Sequence, residues 1–124
     1  MSATKLDGVG TELMKTLTES LMTLQSIHSL VERLAVEVKL GRPAGMLPLQ
    51  IKRLAAPMQG QLSGKFGPIS DQAAQMVLAA GRGGSETIRV RALREHIGQI
   101  RFALETGVTR VREQHSVEIR ISDD

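Results

Sequence analysis

The sequence contains no cysteine, which excludes disulfides, thiolate zinc sites and a cysteine nucleophile. That absence is compatible with a reducing compartment, and a cytoplasmic location is expected. Tryptophan and tyrosine are also absent, and the only aromatic carbocycles are Phe66 and Phe102. Sequence-tolerant binding of single-stranded nucleic acid relies on stacked aromatics, so that mode is disfavoured. No run of about 18 apolar residues occurs, so no membrane-spanning helix and no membrane partner are expected. The opening stretch, MSATKLDGVG, lacks the apolar core of a secretory signal. Charge of one sign is scarce as well: 16 Lys and Arg stand against 13 Asp and Glu, a net charge of +3. So small an excess permits an anionic partner without requiring one.

What the sequence does contain is helical periodicity. Its 124 residues fit one domain, long enough to bury roughly two-thirds of the unfolded surface. The longest patterned segment of the second half is Ser85–His115. Val90, Leu93, Ile97, Ile100, Leu104, Val108 and Val111 recur there at steps of three and four, the period of a helix with one buried stripe. In the first half, Thr11 is an N-cap candidate for a long helix reaching about Leu40. Its stripe runs through Leu13, Leu17, Leu21, Leu24, Val31, Ala35 and Val38, with Ile27, Leu30 and Leu34 broadening it. Gly41 and Pro43 end it.

Two shorter helices are expected between these, near Pro48–Leu62 and Ser70–Ala80, with Ser70 or Asp71 capping the second. Pro57 removes a backbone donor and crowds the Arg53 carbonyl, which predicts a kink or break. Phe66, in the turn GKFGP, is the expected anchor of that turn on the bundle. Residues 116–122 change period: Val117, Ile119 and Ile121 alternate with Glu118, Arg120 and Ser122, as in a strand. A single strand cannot satisfy its own backbone, so this tail either frays or pairs with another molecule. The expected fold is all-α, an antiparallel helical bundle of two long and two short helices over residues 11–115. A flexible leader, residues 1–10, precedes it, and a strand-like or disordered tail, residues 116–124, follows.

Motifs with chemistry are few. The segment Ser26-Ile27-His28-Ser29-Leu30 resembles the histidine region of phosphotransfer domains, which are helical bundles of this size. Those domains carry a Lys-Gly pair shortly after the histidine, where this chain has Val31 and Glu32. A carboxylate there repels a phosphoryl group, and the position on the apolar stripe predicts a packed core histidine. Arg91 and His96 show a spacing similar to that in a family of small helical ribonucleases. On an ideal helix, however, the two side chains lie about 140° apart. Gly60–Phe66 resembles a phosphate-binding loop, but it has one residue too few between its glycines and no preceding strand. His28, His96 and His115 are widely separated and no His-x3-His or Glu-x2-His pair occurs, so no metal site and no cofactor are expected.

The strongest remaining signals concern contact surfaces. Projected at 100° per residue, Phe102 lies about 180° from Leu93, with Ile88 and Gly98 near the same edge. A helix with two apolar faces points to self-association or a protein partner. Ile88, Gly98 and Phe102, with Val117, Ile119 and Ile121 of the tail, are therefore the interface candidates. Arg82, Arg89, Arg91, Arg94 and Arg101 are the anion-binding candidates. The glycines of Arg82-Gly83-Gly84-Ser85 would let backbone donors face an anion at a helix N-terminus. The expected function is a non-enzymatic protein-interaction module, a homo-oligomeric adaptor or scaffold component. The alternatives are an arginine-dependent nucleic-acid-binding protein and a histidine phosphotransfer-like signalling domain.

Overall fold

A computed structural model describes residues 2–120. The chain runs through β1 (Ser2–Leu6), α1 (Gly8–Lys39), α2 (Leu47–Ser63), α3 (Gly67–Gly81), α4 (Glu86–His115) and β2 (Ser116–Arg120). Each helix packs on the next in sequence and α4 closes the ring against α1, so the four form an all-α bundle with antiparallel neighbours. Short connections dictate that arrangement. Cross-links along the bundle fix its direction. Lys65, just after α2, donates from Nζ to Thr16 Oγ1 near the start of α1 at 3.1 Å. Arg94, early in α4, makes a bidentate pair with Glu32 late in α1.

The core forms from the apolar stripes. Leu17, Leu24, Ile27, Val31 and Leu34 of α1 are wholly buried, and Val90, Leu93, Ile97, Ile100, Leu104 and Val111 of α4 are buried opposite them. The short helices add Ile51, Ala55, Met58 and Leu62 from α2 and Ala73, Met76 and Ala80 from α3. Helix α1 stops where its sequence directs. Gly41 takes φ +68°, the Arg42 amide donates to the Glu37 carbonyl at 2.8 Å and the Gly41 amide to Val38 at 3.1 Å. These two bonds satisfy carbonyls that a helix end otherwise leaves open.

Three local expectations are corrected. Helix α2 runs through Pro57, which sits on its exposed face, so the alternative of a break is excluded. Packing of Ile51, Ala55, Met58 and Leu62 on both sides of the proline outweighs one missing donor. Helix α3 begins at Gly67 with Pro68 in its first turn and Phe66 at the cap, so Ser70 and Asp71 lie inside it. Buried Ser70 instead ties two helices: its Oγ donates to the Gln59 carbonyl at 3.0 Å and accepts from Gln59 Nε2 at 3.2 Å. Third, α1 is capped by Asp7, not Thr11. Asp7 Oδ1 accepts from the Gly10 amide at 2.6 Å.

The ends of the chain differ most from expectation. Residues 2–6 are not a flexible leader but β1, paired antiparallel with β2 in the register Leu6 opposite Ser116 and Ser2 opposite Arg120. The tail therefore finds its partner in its own chain. Val117 stands opposite Lys5 and Ile119 opposite Ala3; Ile121 lies outside the described residues. The cause is the long antiparallel pair, which delivers the start of α1 and the end of α4 to the same place. A latch joins them just inside the ribbon. The Asp7 amide donates to the His115 carbonyl at 2.9 Å, and His115 Nδ1 lies 3.2 Å from Asp7 Oδ2.

The latch carries a pH signature. The Gly10 amide bond holds the Asp7 carboxyl below its ordinary range; partial burial opposes this, and His115 adds to it. A depressed folded pKa contributes stability that is complete above the unfolded value and is lost as pH falls through the folded one. Asp7→Asn keeps a capping oxygen and removes the charge. Urea midpoints taken from pH 7 down to pH 2 should fall less steeply in Asp7→Asn than in the wild type. Superimposable profiles would show that the carboxylate contributes nothing.

Candidate functional site

The two long helices outrun the two short ones. Helices α1 and α4 have 32 and 30 residues, α2 and α3 only 17 and 15. At 1.5 Å per residue, the long pair spans about 45–48 Å and the short pair about 23–26 Å. Both short helices meet at the turn around Lys65 and Phe66, beside Thr16, and the long pair continues beyond that turn to the ribbon. The step leaves an open groove of about 670 Å³.

Its walls come from three places. The α2–α3 turn and first turns of α3 supply Phe66, Pro68, Ile69 and Gln72; α1 supplies Leu13. Helix α4 supplies the long wall, from Gln99 through Phe102, Ala103 and Thr106 to Arg110, Val111 and Gln114. Phe102 is 72% exposed, the highest value among the large apolar residues of the described chain. The groove is lined by two cationic residues, Lys65 and Arg110, and by no carboxylate. Gln72 Oε1 is buried and has no hydrogen-bond partner among the described residues. The groove thus combines apolar surface with positive charge and unused polar capacity.

The structure separates the other candidates from this site. Ile88 is exposed, but 14 residues before Phe102 it lies about 21 Å away along α4, beside a small hollow under the Arg82–Ser85 loop. Gly98 is exposed and outside the groove, with open space where a side chain would project. Val117 is exposed on β2. Among the arginines, Arg89 is held by Glu86 and the Arg82 carbonyl, and Arg94 by Glu32. Arg91 borders a separate hollow with Val38 and Lys39, and Arg101 is half-buried and lines neither that hollow nor the groove. Ser85 caps α4, its Oγ accepting from the Ile88 amide.

His28 is not a core residue. Its side chain is 35% exposed, with Nε2 4.0 Å from Glu32 Oε1. It falls at the edge of the α1 stripe, where the stripe borders solvent. His96 is half-buried and Arg91 exposed, and the hollow that Arg91 borders does not include His96. Among the described residues no three His, Asp or Glu side chains gather where they could hold a metal ion. Of the described interface candidates, Phe102 alone lines the large groove. Its other walls, above all the turn residues Lys65, Phe66 and Pro68, were not foreseen. The available signal was the difference in helix length, because two long antiparallel helices must project beyond two short ones. Comparison with protein-family models, with characterised proteins and with solved structures finds no match to this chain.

Proposed function

We propose that this protein is a non-enzymatic interaction module, an adaptor or scaffold component that contacts other protein chains through the end groove. The observation that carries this is Phe102, a large aromatic left in water at the side of a concave apolar surface. Binding energy at protein contacts concentrates in aromatic and arginine residues that become desolvated centrally. Phe102 and Arg110 supply one of each in the same groove. The arginine-dependent nucleic-acid alternative loses support, because Arg89 and Arg94 are engaged by carboxylates within the chain.

The test is in-cell photo-crosslinking from a benzophenone residue introduced at position 102, with exposed position 33 on α1 as the control. A discrete protein adduct at 102, identified by mass spectrometry and absent at 33, is expected. An adduct between two copies would identify the contact as homo-oligomeric. Equal labelling from both positions, or none from 102, overturns the proposal.

A further inference from the structure

We infer that the end groove takes an acidic amphipathic helix of about four turns, supplied by a different protein. This rests on the groove being a protein-docking site and specifies its occupant. Length comes first. The α4 wall runs from Gln99 to Gln114, 16 residues and so about 24 Å of helix. A helix of similar length laid in the groove would pass beside the first turns of α3 and continue along the part of the α1–α4 pair that extends past the α2–α3 turn. Contacts along the α4 wall recur at Gln99, Phe102, Thr106 and Arg110, steps of three and four, which form a ridge another helix can pack against.

Charge then selects the occupant. Lys65 and Arg110 line the groove and no carboxylate does. A second copy docking groove to groove would bring these cations against their own counterparts, which costs association free energy. A helix carrying glutamates beside its apolar stripe meets both cations with opposite charge. A free acyl chain satisfies the charge at one end only. Because the groove is open along its length, the chain would remain partly in water, so the shape favours a helix over a lipid tail.

The test is a displayed library of 15-residue helices with a fixed leucine–alanine stripe and polar positions varied between Glu and Lys, sorted on the full chain. Glu-rich members are expected to be enriched. The leading peptide, measured by fluorescence anisotropy, should lose about 30-fold or more in affinity on Phe102→Ala. On the double variant Lys65→Glu, Arg110→Glu, sorting should enrich Lys-rich members instead. Unchanged urea midpoints of the variants would tie these changes to the groove rather than to unfolding. Enrichment of Lys-rich or charge-neutral members on the wild type, undiminished affinity of the leading peptide for Phe102→Ala, or no enrichment overturns the inference. If the photo-adduct at 102 persists under any of those results, only the acidic-helix occupant falls. If no adduct forms at 102, the docking function falls with it.

Discussion

Leu104→Ala is expected to lower the stability of the bundle by about 2–5 kcal/mol, and Phe102→Ala, two residues away, to change it by less than about 0.5 kcal/mol. The two side chains differ little in apolar character but project about 160° apart around α4. Leu104 is 0% exposed within the core cluster, whereas Phe102 is 72% exposed. Truncating Leu104 removes the transfer free energy of its buried methyl groups and leaves a cavity that fixed neighbours cannot fully close. Truncating Phe102 opens no cavity, because water already covers most of the ring. Urea unfolding at neutral pH, with equal slopes for the two variants, measures both. Comparable losses would mean that Phe102 is part of the folding core. The groove would then lose its exposed aromatic.

The same contrast shows what the sequence reveals and where it stops. Helical period is a local property, so the core faces of α1 and α4 could be read from spacing: Leu17, Leu24, Val31, Leu93, Ile97 and Ile100 are all buried. Phe102 could be placed on the opposite face by the same projection. Pairing between distant segments has no such local signature. Ser2–Leu6 shows no strand alternation and is paired because α1 and α4 bring it to Ser116–Arg120. His115 met no partner in sequence terms, yet it lies against Asp7, 108 residues away. Helix boundaries shifted for a related reason. Ser70 and Thr11 are good capping residues by type, but Ser70 makes a longer-range bond to Gln59, and Thr11 donates to the carbonyl of the true cap, Asp7. The groove was hidden because no one of its segments is concave; it arises from the mismatch between 15–17-residue helices and 30–32-residue ones.

Three helical glycines should respond to alanine in three different ways. Gly10→Ala is expected to destabilise by about 1–3 kcal/mol, the cost of forcing atoms into a packed site. A methyl group there falls 2.5 Å from His115 Cβ and 3.2 Å from Asp7 Oδ1. His115 Cβ is rooted in the α4 backbone and cannot swing away as a side-chain tip can. The end of α4 must therefore move, and the Asp7–His115 latch and the adjoining ribbon must open with it. Gly98→Ala is the opposite case. Nothing lies within 4 Å of the new methyl group, so the lower backbone entropy of alanine in a helix should raise stability by about 0.5–1 kcal/mol. Gly107→Ala falls between them. Its methyl group meets the terminal carbons of Leu17 at 3.2 and 3.5 Å, flexible atoms whose displacement should roughly cancel the helix-propensity gain. The order of urea midpoints should be Gly98→Ala above wild type, Gly107→Ala near it and Gly10→Ala below. Amide exchange in Gly10→Ala should quicken first at Leu6 and Asp7, where the latch holds the ribbon to the bundle. If Gly10→Ala is as well tolerated as Gly98→Ala, then α1 and α4 do not approach closely at Gly10. The latch would then not be what brings the two strands together.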